Sequence, residues 1–95
     1  MVIDEGYKKD IEVIQKILKE SDVKEMYLFG SVAEGRQRGG SDIDVAVRGV
    51  SKSNFFGLYG KLLSETEHSV DLVCLDYSSQ FTEYLISSGG LVRVF

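Results

Sequence analysis

Hydrophobic and polar residues recur along the chain with two periods, one typical of helices and one typical of strands. Residues 4–20 have charged residues between apolar positions at helical spacing, which predicts an amphipathic helix. Its apolar positions are Tyr7, Ile11, Ile14, Ile17 and Leu18. Residues 25–29 form a short strand-like run that stops at Gly30, and a turn of helix is expected after Ser31.

Further strands and helices are predicted in the rest of the chain. Residues 42–47 alternate polar and apolar side chains at their start, which predicts a strand closed by Gly49. Residues 53–65 predict a second amphipathic helix, whose apolar residues are Phe55, Phe56, Tyr59, Leu62 and Leu63. The remaining predicted elements are a strand at 70–75, a short helix at 79–87 and a terminal strand at 91–95.

The order of these elements predicts an α/β or α+β domain with a small mixed sheet flanked by helices. With 95 residues, the chain has the length of one domain, and we expect residues 1–95 to form it. Strand 42–47 and strand 70–75 are joined by a helix, which favours a parallel pairing of the two.

Composition narrows the classes of function. Hydrophobic residues make up 43% of the chain and charged residues 27%, as in soluble globular proteins. A net charge of −4 argues against general nucleic-acid binding, which needs a basic face. No apolar stretch is long enough to span a bilayer, the first residues do not resemble a secretory signal, and the single cysteine, Cys74, excludes an intrachain disulfide. We therefore expect a cytoplasmic protein.

Residues 30–44 carry the most informative chemistry. Gly30 allows a sharp turn and a close approach by phosphate, and Ser31 can donate its hydroxyl. Asp42 and Asp44 are two residues apart on a strand, so their carboxylates project from the same face. Such a pair repels itself unless a hard cation such as Mg²⁺ neutralises it. Ser41, directly before Asp42, is grouped with Gly30 and Ser31 as nucleotide-binding, although by itself it is equally a turn residue.

Topology supplies a third carboxylate. Asp71 is at the start of strand 70–75, and parallel pairing would bring it to the same edge of the sheet as Asp42 and Asp44. Three carboxylates in that arrangement can hold two metal ions for an in-line phosphoryl displacement. Asp71 is the candidate general base as well as a metal ligand.

Each of these signals has a simpler interpretation when taken alone. Most Asp-x-Asp pairs are solvated surface residues, and a Gly-Ser pair has little meaning by itself. It is their combination with Asp71 that indicates a site. Two other polar residues are expected to be solvated: Asp10, on a charged helix face, and His68, in a loop.

The motif Leu28-Phe29-Gly30-Ser31, ten residues, and Asp42-Ile43-Asp44-Val45 resembles the signature of the DNA polymerase beta nucleotidyltransferase superfamily. Val70-Asp71-Leu72-Val73 resembles its third acidic strand. The chain's small size and its last segment are similar to the minimal nucleotidyltransferases, the MNT or MntA-like group. The resemblance covers most of the chain.

This resemblance implies transfer of a nucleoside monophosphate, most simply AMP from ATP, to a hydroxyl with magnesium. Gly30 and Ser31 would bind the triphosphate, Asp42 and Asp44 the metals, and Asp71 would complete the site. It also implies a small helical HEPN-type partner in a toxin–antitoxin pair, with a homodimer as an alternative. Many minimal members carry arginines just after Gly-Ser, where this chain has Val32 and Glu34.

Two functions follow as alternatives. One is a magnesium-dependent nucleotidyltransferase that adenylylates a partner protein as the antitoxin of a HEPN/MNT pair. The other is a binding subunit, with weak or lost catalysis, that neutralises a helical partner by contact. The three aspartates favour the enzyme, and the departures at Val32 and Glu34 favour the binding subunit.

Overall fold

The computed structural model describes residues 5–35 and 42–95. Ser41 lies outside the described residues. The helices are α1 (Glu5–Glu20), α2 (Gly30–Ala33), α3 (Lys52–Glu65) and α4 (Gln80–Ser88). The strands are β1 (Glu25–Phe29), β2 (Ile43–Arg48), β3 (Val70–Cys74) and β4 (Val92–Arg93). None of the described helices is both long and apolar enough to cross a bilayer.

The four strands form one mixed sheet in the order β3-β2-β1-β4. β1 is antiparallel to β2 and β4, whereas β2 and β3 are parallel and are joined through α3. The predicted mixed sheet flanked by helices and the predicted parallel pairing are both confirmed. The parallel pairing matters for function because it brings the starts of β2 and β3 to one edge.

Alternation along the strands gives the sheet two faces with separate cores. On one face, the apolar sides of α1 and α3 cover the strands, with Ile14, Leu18 and Leu62 fully buried. Ile14 and Leu18 are four residues apart in the sequence, so they lie on the same side of α1 and are buried together. The large core on this side holds the strands in place, so their other face can carry polar groups at one end.

α4 covers part of the second face. Its start is fixed by a capping box in which the Ser79 hydroxyl accepts from the Thr82 backbone N–H and the Thr82 hydroxyl accepts from the Ser79 backbone N–H. Leu85 of α4 packs with Phe29 and Ala46 in a second, smaller cluster. This helix leaves the first residues of β2 and β3 uncovered on the same face.

Asp10 corrects one expectation from the sequence. It is only 3% exposed rather than solvated. Its carboxylate accepts hydrogen bonds from the backbone N–H groups of Glu67 and His68, and it contacts His68 Nδ1 at 2.7 Å. His68 is half-buried and stacks on Tyr7 at a ring-centroid distance of 3.9 Å, so it is not a solvated loop residue either. Asp10 therefore fastens α1 to the loop that leads into β3.

Candidate active site

The structure pairs two of the predicted site residues across neighbouring strands. Asp44 on β2 is the register partner of Asp71 on β3. Asp44 shares its face of the sheet with Ala46, and Asp71 shares the same face with Val73. Both carboxylates therefore project from the second face, at the end of the strands that α4 leaves uncovered. Asp42 is exposed and lies one residue before β2.

Gly30 borders the site on the other side of β2. It follows Phe29, which is the register partner of Asp44, and it has a φ of +72°. A Cβ added at Gly30 would lie only 2.1 Å from Asp44 Oδ2. A side chain cannot fit there, and the backbone conformation also favours glycine. The sequence therefore needs Gly30 for two reasons: the turn into α2 and the close approach to the carboxylate.

The three aspartates lie close enough together for their carboxylates to repel one another. Burial raises the pKa of Asp44 to about 6, and repulsion from Asp71 and then from Asp42 adds to this rise. A carboxylate that is hard to ionise beside two others is a group that gains from a nearby cation.

The residues present fit a hard divalent cation by their chemistry. Asp42, Asp44 and Asp71 offer carboxylate oxygens, the ligands that Mg²⁺ prefers, and their mutual repulsion would be relieved by positive charge. Over residues 5–35 and 42–95, no three His, Cys, Asp or Glu side chains are already gathered closely enough to hold a metal ion. The aspartates thus form a cluster of suitable donors rather than a finished coordination shell.

Tyr59 is a site residue that the sequence analysis did not identify. Its hydroxyl donates a long hydrogen bond of 3.4 Å to Asp71 Oδ1 and also hydrogen-bonds with the backbone of Leu72. Burial raises the pKa of Tyr59, and the charge of Asp71 raises it further, so the hydroxyl stays protonated as a donor. Helical spacing in α3 indicated only an apolar position, and the contact arises because β3 lies beside α3.

The two departures from the family pattern have different surroundings. Val32 in α2 is fully buried in the large core, so its side chain packs rather than facing a ligand. Glu34, at the end of α2, is exposed. Ser31 is half-buried at the start of the same short helix. Val32 thus serves the core, and Glu34 is the departure that places negative charge at the surface near the Gly30 turn.

A groove with a cavity volume of about 450 Å³ runs beside β3, between α3 and the start of α4. We call it the β3 groove; its main lining residues are Phe55, Phe56, Val73, Tyr77 and Phe81. A second cavity of about 430 Å³, lined by Gly49, Val50 and Lys61 among others, includes none of the three aspartates. The β3 groove lies along the strand that carries Asp71.

Comparisons with known proteins also indicate a nucleotidyltransferase. The family model described as Polymerase beta, Nucleotidyltransferase matches residues 12–93. A search of curated proteins finds no significant match.

Among solved structures, the chain is similar to one from the crystal structure of a toxin–antitoxin with AMP-PNP. The TM-score is 0.73 and the identity 28%, over 90% of this chain and 72% of that one. It is also similar to a chain of the toxin–antitoxin MntA-HepT, with a TM-score of 0.69 and 25% identity over 93% of this chain and 71% of that one. A third is from the tri-AMPylated Shewanella oneidensis HEPN toxin in complex with MNT antitoxin, with the same TM-score, identity and coverage. These similarities confirm the predicted resemblance to minimal nucleotidyltransferases.

Proposed function

Because the chain belongs to the polymerase beta nucleotidyltransferase family, we propose that it transfers AMP from ATP to a hydroxyl group of a partner protein. The observation that carries this proposal is the pairing of Asp44 with Asp71 across two parallel strands, with Gly30 against Asp44. That arrangement joins a candidate phosphate-binding turn to a cluster of carboxylates, which is what phosphoryl transfer requires.

Gly30 and Ser31 bind the triphosphate in this proposal. The missing side chain at Gly30 lets a phosphate approach the backbone, and the Ser31 hydroxyl is available as a donor. Ser41 is proposed as a further nucleotide-binding residue. The end of the nucleotide that leaves as pyrophosphate therefore lies on the β1 side of Asp44.

Asp42, Asp44 and Asp71 would hold magnesium. When bound, the ion neutralises the phosphate oxygens and offsets the repulsion among the three carboxylates. The raised pKa of Asp44 supports this role, because burial and then the two neighbouring carboxylates make its negative charge unfavourable unless a cation lies nearby.

Asp71 acts as the general base. It is exposed on β3, so an acceptor can reach it, and it accepts a hydrogen bond from Tyr59. The acceptor oxygen forms a bond to the α-phosphorus of ATP, the bond from that phosphorus to the pyrophosphate oxygen breaks, and the hydroxyl proton passes to Asp71. The products are the adenylylated acceptor and pyrophosphate.

The proposed acceptor is a small helical protein of the HEPN type, with this chain as the antitoxin. The support is the similarity to a chain from a complex that contains a tri-AMPylated HEPN toxin.

A second candidate function is neutralisation of the partner by contact, without catalysis. Glu34 favours it, because negative charge near the Gly30 turn opposes the binding of a triphosphate.

The test is incubation with α-labelled ATP, magnesium and a co-expressed helical partner. Transfer of label to the partner by wild type, and its loss in the double variant Asp42→Asn/Asp44→Asn, are the expected results. Equal protection of cells against the toxin by wild type and by the double variant would favour neutralisation by contact instead.

A further inference from the structure

We propose that the β3 groove binds an apolar side chain of the acceptor polypeptide, next to the hydroxyl that receives AMP. This inference rests on the proposed function and adds to it the surface on which the acceptor lies and the chemistry of the segment that it takes.

The order of the strands explains why the β3 groove is on the acceptor's side of the site. Gly30 comes at the end of β1, Asp44 is on the neighbouring strand β2, and Asp71 is on the outer strand β3. In an in-line displacement, the attacking oxygen enters opposite the leaving group. With the pyrophosphate on the Gly30 side, the acceptor hydroxyl must come from the β3 side, which is where the groove lies.

A row of aromatic side chains connects the groove to the carboxylates. Tyr59 contacts Asp71 through its hydroxyl, and its ring packs edge-on against Phe55 at a centroid distance of 6.0 Å. Phe55 in turn packs against Phe56 at 5.5 Å. Phe55 and Phe56 line the groove, so a segment that lies in it places its neighbouring residues beside Asp71.

The lining selects the chemical class of the occupant. Phe56 on α3 is 80% exposed and Phe81 on α4 is 50% exposed, although both belong to amphipathic helices. Large aromatic rings left exposed on two sides of one groove are typical of a surface that another molecule covers. Nucleic-acid and sugar acceptors need hydrogen-bonding or basic surfaces, and the aromatic walls offer few such groups. An aliphatic or aromatic side chain of a polypeptide fits this lining.

The experiment uses two peptides with the same serine hydroxyl and different neighbouring side chains: acetyl-Leu-Ser-Val-amide and acetyl-Gly-Ser-Gly-amide. Each is titrated into the isotope-labelled full chain, and binding is followed by NMR shifts of backbone amides in α3, β3 and α4. AMP transfer to each peptide is measured in parallel with ATP and magnesium. The variants are Phe56→Ser and Phe81→Ser. The control is Ile86→Ser, since Ile86 is 48% exposed on α4 but does not line the groove.

The expected result is that the Leu-Ser-Val peptide shifts the signals of groove residues and binds at least about tenfold more tightly than the Gly-Ser-Gly peptide. Both groove variants lose this preference and keep the wild-type affinity for ATP, and the control behaves as wild type. Equal binding of the two peptides, no binding of either, or groove variants that bind as wild type would each overturn the inference.

The same data separate this inference from the proposed function. If the apolar peptide binds in the groove but no AMP is transferred and ATP does not bind, the proposed function fails and the groove assignment stands. If ATP binds and AMP is transferred with no dependence on Phe56 or Phe81, the groove assignment alone fails.

Discussion

The backbone of Gly30 lies against the carboxylate of Asp44, so close that a Cβ at Gly30 would be 2.1 Å from Asp44 Oδ2. This contact joins the turn after β1 to the acidic strand β2. It makes the turn and the carboxylate one structural unit, and it means that a single methyl group at Gly30 should disturb both.

Gly30→Ala should therefore reduce both stability and nucleotide binding. The positive φ costs an L-residue roughly 1–2 kcal/mol, and the methyl group must also displace the Asp44 carboxylate. Chemical denaturation and titration with ATP measure the two effects. Gly57→Ala and Gly60→Ala are matched controls, because nothing lies within 4 Å of a Cβ at either position in α3. Each should stabilise the helix by about 0.5–1 kcal/mol and leave ATP binding unchanged. If Gly30→Ala matched these controls, the close contact would be wrong.

The raised pKa of Asp44 predicts how stability depends on pH in the metal-free protein. Between about pH 4 and 6 the folded chain keeps a proton on Asp44 that the unfolded chain has lost, so stability falls as pH rises. Above about pH 6 Asp44 is ionised in the folded chain as well, and the full free-energy cost of its charge lowers the stability. Asp44→Asn should then be more stable than wild type by about 1 kcal/mol at neutral pH, after allowance for solvent screening, and equal to it below about pH 4.

Two measurements test that prediction. Urea denaturation across this pH range gives the stability difference, and carboxyl NMR gives the titration of Asp44 itself, with a midpoint near 6. Asp71→Asn should lower the pKa of Asp44 without returning it to its ordinary value, because burial is the larger cause and remains. A stability difference that does not change with pH would contradict the assignment.

Asp10 should be essential for stability although it is remote from the aspartate cluster in sequence. Asp10→Ala removes the acceptor for the N–H groups of Glu67 and His68 and should cost about 3 kcal/mol. Burial raises the pKa of Asp10, but hydrogen bonds from Glu67 and His68 outweigh it and lower the pKa overall. The stabilisation should accordingly be complete above about pH 4 and be lost as pH falls through the lowered pKa.

Urea denaturation of wild type and variant at several pH values measures this effect. Glu12→Ala on the same helix is the control, since Glu12 is exposed and its replacement should change stability by no more than about 0.5 kcal/mol. A similarly small effect of Asp10→Ala would show that the link from α1 to the loop before β3 is unimportant.

Glu34→Arg should strengthen ATP binding by several-fold. Glu34 is exposed at the end of α2, so the substitution replaces negative with positive charge near the proposed triphosphate site without disturbing the core. Calorimetric titration with ATP measures the change at two salt concentrations, because a charge effect weakens with salt. Glu20→Arg makes the same charge change at the end of α1, which precedes β1 in the chain, whereas α2 follows it. This control should have little effect on ATP binding. Equal gains in both variants would indicate a general charge effect.

The sequence predicted most of the fold because local patterns determine most of it. The strand at 25–29 and the helix at 53–65 agree with β1 and α3 to within a residue. A helix between β2 and β3 also predicted the parallel pairing that brings Asp71 beside Asp44. These features depend on periodicity and on connection lengths, which are visible in one sequence.

Contacts between distant segments could not be predicted in the same way. Asp10 is surrounded in sequence by charged residues, and only the loop at 67–68, brought close by folding, buries it. The hydroxyl of Tyr59 reaches Asp71 because α3 lies beside the outer strand. The exposure of Phe56 likewise depends on how α3 packs, since its helical position alone suggested burial. Several expectations stay predictions. They are the roles of Gly30, Ser31, Ser41 and the three aspartates, the extent of one domain over 1–95, a cytoplasmic location, and the choice between a HEPN partner and a homodimer.

Calorimetric binding of α,β-methylene-ATP in the presence of magnesium tests most directly whether the three aspartates act as one nucleotide site. Wild type should bind the analogue only when magnesium is present, and Asp44→Asn or Asp71→Asn should each weaken binding at least about tenfold. Asp22→Asn removes one negative charge at an exposed residue with a φ of 61°, a conformation that asparagine tolerates, and should bind as wild type. Binding by Asp71→Asn at the wild-type affinity would contradict a shared site on β2 and β3.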